Sequence, residues 1–257
     1  PKSTVPGTDF AGEVEAVGSE VTSFKKGDRV WGLNDEGLAS QAQFMVIKSN
    51  QPLAKIPEGI SFEHAVVSAE GAHYAYNFIN KIKLNKDSKV LVYGATGAIG
   101  SAAVQLLKAK GIQVTAVGNT QNMELIKSLG ADKTVDYLTQ DFTKDTDRYH
   151  YIADAVGKSS FGECKHLLLK KGIYISSELG PGNENLYLPI ITKLKGGKRV
   201  VFPIHNNRKR TILYMNTLLK QGKFMPVIDK RYTIDEIKKA YEYAESGMKT
   251  GNIVINY

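Results

Sequence analysis

The sequence predicts an α/β fold: a doubly wound parallel sheet, preceded by a smaller unit that is mainly β. Three observations lead there. From Val90 onward an apolar strand, a glycine-bearing turn and an amphipathic helix recur in alternation, the order that lays strands parallel with helices over both faces. Before that point the chain shows short apolar runs at 12–17, 29–32 and 43–47, set apart by Gly18, Gly27 and Gly37. The later region then holds six candidate strands, at 90–93, 114–117, 134–137, 151–155, 173–177 and 199–203, the number in a Rossmann sheet.

Between those strands the spacing predicts helices at 98–110, 121–129, 160–169, 186–195 and 209–221. Each has apolar residues at helical intervals, as at Ala103, Leu106 and Leu107. The closing stretch carries a further helix at 234–246 and a terminal strand at 252–255, which fits a return to the first unit. The expected domains are therefore 1–73, incomplete at its start, then 74–223 for the Rossmann unit and 224–257 for the return. No internal repeat or low-complexity tract interrupts this order.

With 257 residues, 42% hydrophobic and 23% charged, the chain has the composition of a globular protein with ample core. No apolar stretch is long enough for a membrane helix. The single cysteine, Cys164, excludes an intramolecular disulfide and any zinc site of several thiolates, and fits a reducing cytoplasm. The first residues, Pro1 to Thr4, include neither an initiator Met nor a charged-then-apolar leader, so a segment upstream is expected and a signal peptide is not. The net charge of +8 is spread along the chain, and a solvated basic surface is a better account of it than a nucleic-acid groove.

The strand at 90–93 runs into Gly94, Ala95, Thr96, Gly97, Ala98, Ile99 and Gly100 and then a helix, placing three glycines three residues apart. In this strand-to-helix context each glycine has a task. One makes the tight turn, one lets a pyrophosphate approach the main chain, and one lets helix and strand touch. The free N–H groups of the helix start then favour phosphates. An acidic residue at the end of the second strand would bind the ribose hydroxyls of NAD. Here that strand ends at Val117 and Gly118, and Asn119 and Thr120 follow, with no carboxylate before Glu124. A 2′-phosphate meets no repulsion from this strand, so NADPH is the expected cofactor, bound at least about tenfold more tightly than NADH. Asn119 and Thr120 would hydrogen-bond that phosphate, cap the next helix, or both.

The runs Pro6-Gly7-Thr8-Asp9-Phe10, Phe24 to Gly32 and Leu129 to Tyr137, together with the glycine turn, resemble the medium-chain dehydrogenase/reductase superfamily. Its zinc-independent quinone oxidoreductase branch looks most similar, and the likeness runs from near Val5 to the C-terminus. The resemblance implies a GroES-like catalytic domain ahead of the Rossmann domain, and an N-terminal part of that domain lying before Pro1. Zinc-dependent relatives carry His-Glu at Thr8-Asp9 and a cysteine near Ala69, so the expected metal is none. The five histidines, His64, His73, His150, His166 and His205, have no paired ligand spacing. Tyr137 matches a family tyrosine near the adenosine phosphate, whereas the lysine that often assists it is replaced by Asn122. The resemblance also puts Leu179, Phe202 and Ile204 beside the nicotinamide, although Phe202 and Ile204 also fit buried strand positions. His73 is the candidate proton donor, or else a packed helix residue.

Without a Lewis acid, reduction of a conjugated acceptor suits this arrangement better than alcohol oxidation, because the charge that develops spreads to an oxygen that hydrogen-bond donors can hold. The expected function is thus an NADPH-dependent quinone reductase. A reductase of enones, alkenals or enoyl thioesters is the second reading, and an NADPH- or RNA-binding relative without turnover the third. The last Rossmann strand is commonly the dimer edge in this family, so a homodimer is expected, with no membrane partner.

Overall fold

The structure is a computed structural model that describes residues 5–34, 39–204 and 206–257. Gly37 and His205 lie outside the described residues. In chain order the elements are β1 (Asp9–Glu13), β2 (Arg29–Leu33), β3 (Leu53–Lys55), α1 (Phe62–Val66), α2 (Glu70–Asn80), β4 (Lys89–Tyr93), α3 (Ala98–Ala109) and β5 (Gln113–Gly118). There follow α4 (Met123–Ser128), β6 (Lys133–Asp136), β7 (Tyr149–Asp154), α5 (Phe161–Cys164), β8 (Leu168–Ser176), α6 (Glu184–Lys195) and β9 (Arg199–Val201). The chain closes with α7 (Arg208–Lys220), β10 (Ile228–Thr233), α8 (Ile237–Glu245) and β11 (Asn252–Asn256).

These elements form two compact units, one of residues 74–206 and one that joins 1–73 to 207–257. In the first of these, six parallel strands lie in the order β6-β5-β4-β7-β8-β9. Numbered within the unit, that order is 3-2-1-4-5-6, the Rossmann arrangement. The central strands are apolar on both faces, as helices on both sides require: Val90, Leu91 and Val92 are all buried. One face packs Leu91, Val117, Ile152 and Tyr174 against Phe142, Phe161 and Leu167. Glycine turns after β4 and loops after β7, β8 and β9 all open at the same end of this sheet.

Several elements differ from the sequence expectation. Strand β9 stops at Val201, so Phe202 and Ile204 lie beyond it, and Ile204 is 72% exposed; neither is a buried strand residue. The helix expected at 160–169 is a single α turn, because β8 already begins at Leu168. Helix α7 belongs with residues 1–73 and not with the Rossmann unit, which ends at Asn206 and not at 223. Its buried residues Thr211, Ile212 and Met215 pack within that other unit, and the buried Trp31 indole donates to Asn216 Oδ1 at 3.0 Å.

In the unit that holds Trp31, β1, β2 and β3 form an antiparallel sheet and β10 pairs with β11 in parallel. Phe10, Val30 and Leu53 make its core cluster. The run at 43–47 keeps its alternation, with Met45 and Ile47 packed on that cluster while Phe44 and Val46 face outward, yet it forms no strand. Alternation alone does not supply a hydrogen-bonding neighbour.

A charge network ties the connection between β6 and β7. Lys133 Nζ donates to both oxygens of Asp145 at 2.8 and 2.9 Å, and the Tyr149 hydroxyl donates to the same carboxylate at 2.6 Å. Burial alone would raise the Asp145 pKa, but the ammonium and the hydroxyl outweigh it and hold it at about 2. A carboxyl depressed below its usual value stabilises the fold above that usual value and loses the contribution as the pH falls. Asp145→Asn is therefore expected to cost about 2 kcal/mol near pH 7, with roughly half of that difference gone by pH 3. Urea unfolding of both proteins at the two pH values checks it; a pH-independent difference would assign the effect to packing.

Candidate functional site

The glycine turn sits at the point where the strand order reverses. Gly94 follows β4 with φ of +78°, a conformation that side chains resist, and a Cβ there would lie 2.8 Å from Val156, which follows β7. Gly100 is in the first turn of α3, and a Cβ on it would lie 2.1 Å from the Gly94 carbonyl oxygen, so helix and turn meet only because that position is bare.

Gly97 is different. Its φ of −77° is ordinary, and a Cβ built on it would meet nothing nearer than the Gly94 oxygen at 3.7 Å. Neither backbone nor packing demands glycine there. It is the N-cap of α3, and no side chain caps that helix. Ala98, Ile99 and Gly100 thus begin a twelve-residue helix behind an open space that one side chain would fill. Open space, free amides and the positive end of a helix dipole are what a pyrophosphate needs, so the residues present fit a dinucleotide. Thr96, inside the turn, places its methyl 2.9 Å from where a Gly118 Cβ would stand.

Asn119 and Thr120 lie just past β5. The Asn122 amide donates to Asn119 Oδ1 at 2.7 Å, and the Thr120 hydroxyl donates to Asp136 Oδ2 at 2.5 Å. Asp136 ends β6 and pairs in register with Gly118, so the fold brings a carboxylate beside the end of β5 that the sequence of β5 itself lacks. Tyr137 follows, outside the strand, its N–H on the Gly118 carbonyl at 3.0 Å. With Tyr93, Leu138 and Phe142 it borders a depression of about 420 Å³ at the same end of the sheet. Leu179, Phe202 and Ile204 follow β8 and β9, and hence also lie at this end.

His73 belongs to the other compact unit. It is 2% exposed within α2, and its Nδ1 is 2.9 Å from the buried Thr211 Oγ1. A ring held so has the burial and the hydrogen bond of a packed helix residue.

Sequence reasoning missed Asp154. This fully buried residue ends β7, and its carboxylate accepts the N–H groups of Val156, Gly157 and Ser159 and the Tyr174 hydroxyl, at 2.8 to 3.1 Å. Burial pushes its pKa up against those donors. The residue fixes the loop whose Val156 backs Gly94. An acidic residue closing an apolar run, with Gly157 and Ser159 just after it, was the available signal. Beneath the loop, burial pushes the Cys164 thiol up to about 12, which leaves it unreactive at neutral pH. Among the described residues, no group of three or more His, Cys, Asp or Glu is placed to hold a metal.

Comparison with known proteins gives this geometry a family. Residues 1–74 match the alcohol dehydrogenase GroES-like domain, 129–255 match the zinc-binding dehydrogenase family and 90–164 the NAD dependent epimerase/dehydratase family. A chloroplastic quinone-oxidoreductase homolog of Spinacia oleracea is 31% identical, over 98% of this chain and 79% of that protein. The chain belongs to the medium-chain dehydrogenase/reductase superfamily. Within the family, a 2-methylene-furan-3-one reductase of Solanum lycopersicum is 30% identical over the whole of this chain, which spans 64% of the tomato protein's length. The Escherichia coli quinone oxidoreductase solved with NADPH shares the fold with a TM-score of 0.83 at 23% identity, over 98% of this chain and 82% of that one. A family of oxidoreductases and a nucleotide-binding fold thus stand together in one chain.

Proposed function

We propose that this chain is an NADPH-dependent reductase of quinones or related conjugated carbonyls, acting by hydride transfer and without a metal. The observation that carries the proposal is the open cradle at Gly97, on the reversal point of a 3-2-1-4-5-6 sheet, in a chain whose relatives are quinone oxidoreductases. Bound there, a nicotinamide dinucleotide supplies the hydride. The chain's part is to hold and orient it. Gly94, Thr96, Gly97, Ala98, Ile99 and Gly100 would cradle the pyrophosphate, while Asn119, Thr120 and Tyr137 would meet the adenosine half and Leu179, Phe202 and Ile204 the nicotinamide half. The positions of zinc ligands in relatives read Thr8, Asp9 and Ala69, which supports chemistry without a Lewis acid.

Two relatives favour a second reading within the same chemistry, the tomato reductase and an alkenal/one oxidoreductase of Arabidopsis thaliana that is named NADPH-dependent and is 27% identical. NADPH oxidation measured against a quinone panel and an enone and alkenal panel decides between them. Quinone turnover supports the first reading, turnover of enones alone selects the second, and RNA retention without oxidation of NADPH by either panel overturns both.

The proposed assembly is a homodimer. Helix α6 buries Asn185 and Thr192 on one side, yet Leu186, Tyr187, Ile190, Ile191 and Leu194 stand exposed along the other, beside the open edge of β9. A helix that turns a row of large apolar side chains to solvent needs a second cover. Ile190→Glu is expected to turn the dimer into a monomer by light scattering; an unchanged mass would move the contact elsewhere. No described helix is long and apolar enough to cross a membrane. The cytoplasm is the proposed compartment, on the strength of a single buried thiol.

A further inference from the structure

We propose that Asp136 is a cofactor-selecting residue, whose carboxylate favours a free 2′-hydroxyl over a 2′-phosphate and so lets the chain take NADH alongside NADPH. The proposal rests on the glycine-turn reading of the cofactor site. Three observations support it.

The first is position. Asp136 is the register partner of Gly118, the last residue of β5, where an acidic side chain would bind ribose hydroxyls if β5 carried one. Gly118 itself has no room for a side chain, because a Cβ there would lie 2.3 Å from Ile126 Cδ1. The neighbouring strand therefore supplies the charge that β5 cannot.

The second is rigidity. One oxygen of the Asp136 carboxylate accepts the Thr120 hydroxyl at 2.5 Å and the other accepts the Leu138 N–H at 3.0 Å, so the group is held beside the residues that follow β5. Using its hydroxyl on Asp136 also leaves Thr120 without that proton for a phosphate oxygen.

The third is the absence of a counter-charge. From Gly111 to Ile126 the chain has no Lys or Arg, and from Tyr137 to Thr143 it has none either. Lys127 and Lys144, at the far ends of these stretches, pair with Glu124 and Asp141. A 2′-phosphate, carrying close to two negative charges, would face a fixed carboxylate with no cation from either loop to offset it. A 2′-hydroxyl would find in the same carboxylate an acceptor.

The test is equilibrium titration of the full chain with NADPH and with NADH, followed by cofactor fluorescence, for the parent, Asp136→Asn and Asp136→Ser. The parent is expected to bind the two cofactors within about tenfold of each other, in place of the larger NADPH preference that the sequence of β5 alone predicts. Removing the charge should tighten NADPH at least about fivefold and leave NADH unchanged or weaker, and the gain should shrink as salt rises. Either substitution showing this separation supports the proposal. Equal shifts for both cofactors, or no tightening of NADPH in either variant, would overturn it while the glycine-turn reading stands. If the parent binds neither cofactor, that reading falls and the proposal with it.

Discussion

Gly97→Asp is expected to abolish dinucleotide binding, weakening it by more than about a hundredfold, while leaving the fold as stable as before or slightly more so. The two halves of that expectation come from the same geometry. Gly97 has an ordinary φ and an open neighbourhood, so a side chain enters without strain. As N-cap of a helix that no side chain caps, an aspartate would accept the free amides of the first turn, a substitution that commonly stabilises. What it takes is the space and the donors that a pyrophosphate would use, and it adds a like charge there. Fluorescence titration with NADPH and a thermal melt of the same sample check both halves. Retained binding with an unchanged melt would show that the phosphates lie elsewhere.

Asp154→Ala should be the most damaging change to the Rossmann unit, costing about 3 kcal/mol or more. It would take from three backbone N–H groups and the Tyr174 hydroxyl the buried carboxylate that accepts them. Asp154→Asn keeps an acceptor but turns an NH₂ group toward donors, so it should fall between the parent and Ala. Chemical denaturation gives the ranking. Should Ala cost less than 1 kcal/mol, the loop has another anchor.

The sheet was legible because its strands are apolar runs bounded by glycine turns, and buried parallel strands leave that mark in any sequence. Helix α2 was not, since Glu70 to Asn80 mixes small, polar and aromatic residues whose burial depends on what packs over them. The same limit applies to His73, whose burial its residue type does not announce. Asp136 shows the limit most sharply. Reading along β5 finds no acid at its end, and only the pairing of Gly118 with a residue eighteen positions later puts one there. The boundary near Asn207 was missed for a related reason: α7 has the periodicity of any amphipathic helix, and nothing in that periodicity names the sheet it covers.

The stretch after β7 has no regular secondary structure, yet Asp154 fastens three of its amides from within the core. Such amides should exchange with deuterium on the timescale of the strands around them, although they stand in what is formally a loop. The wall behind the glycine turn is then part of the scaffold and no gate. A dinucleotide bound at the glycine turn would meet a wall held in place from the core, with little of its ordering left to be done on binding.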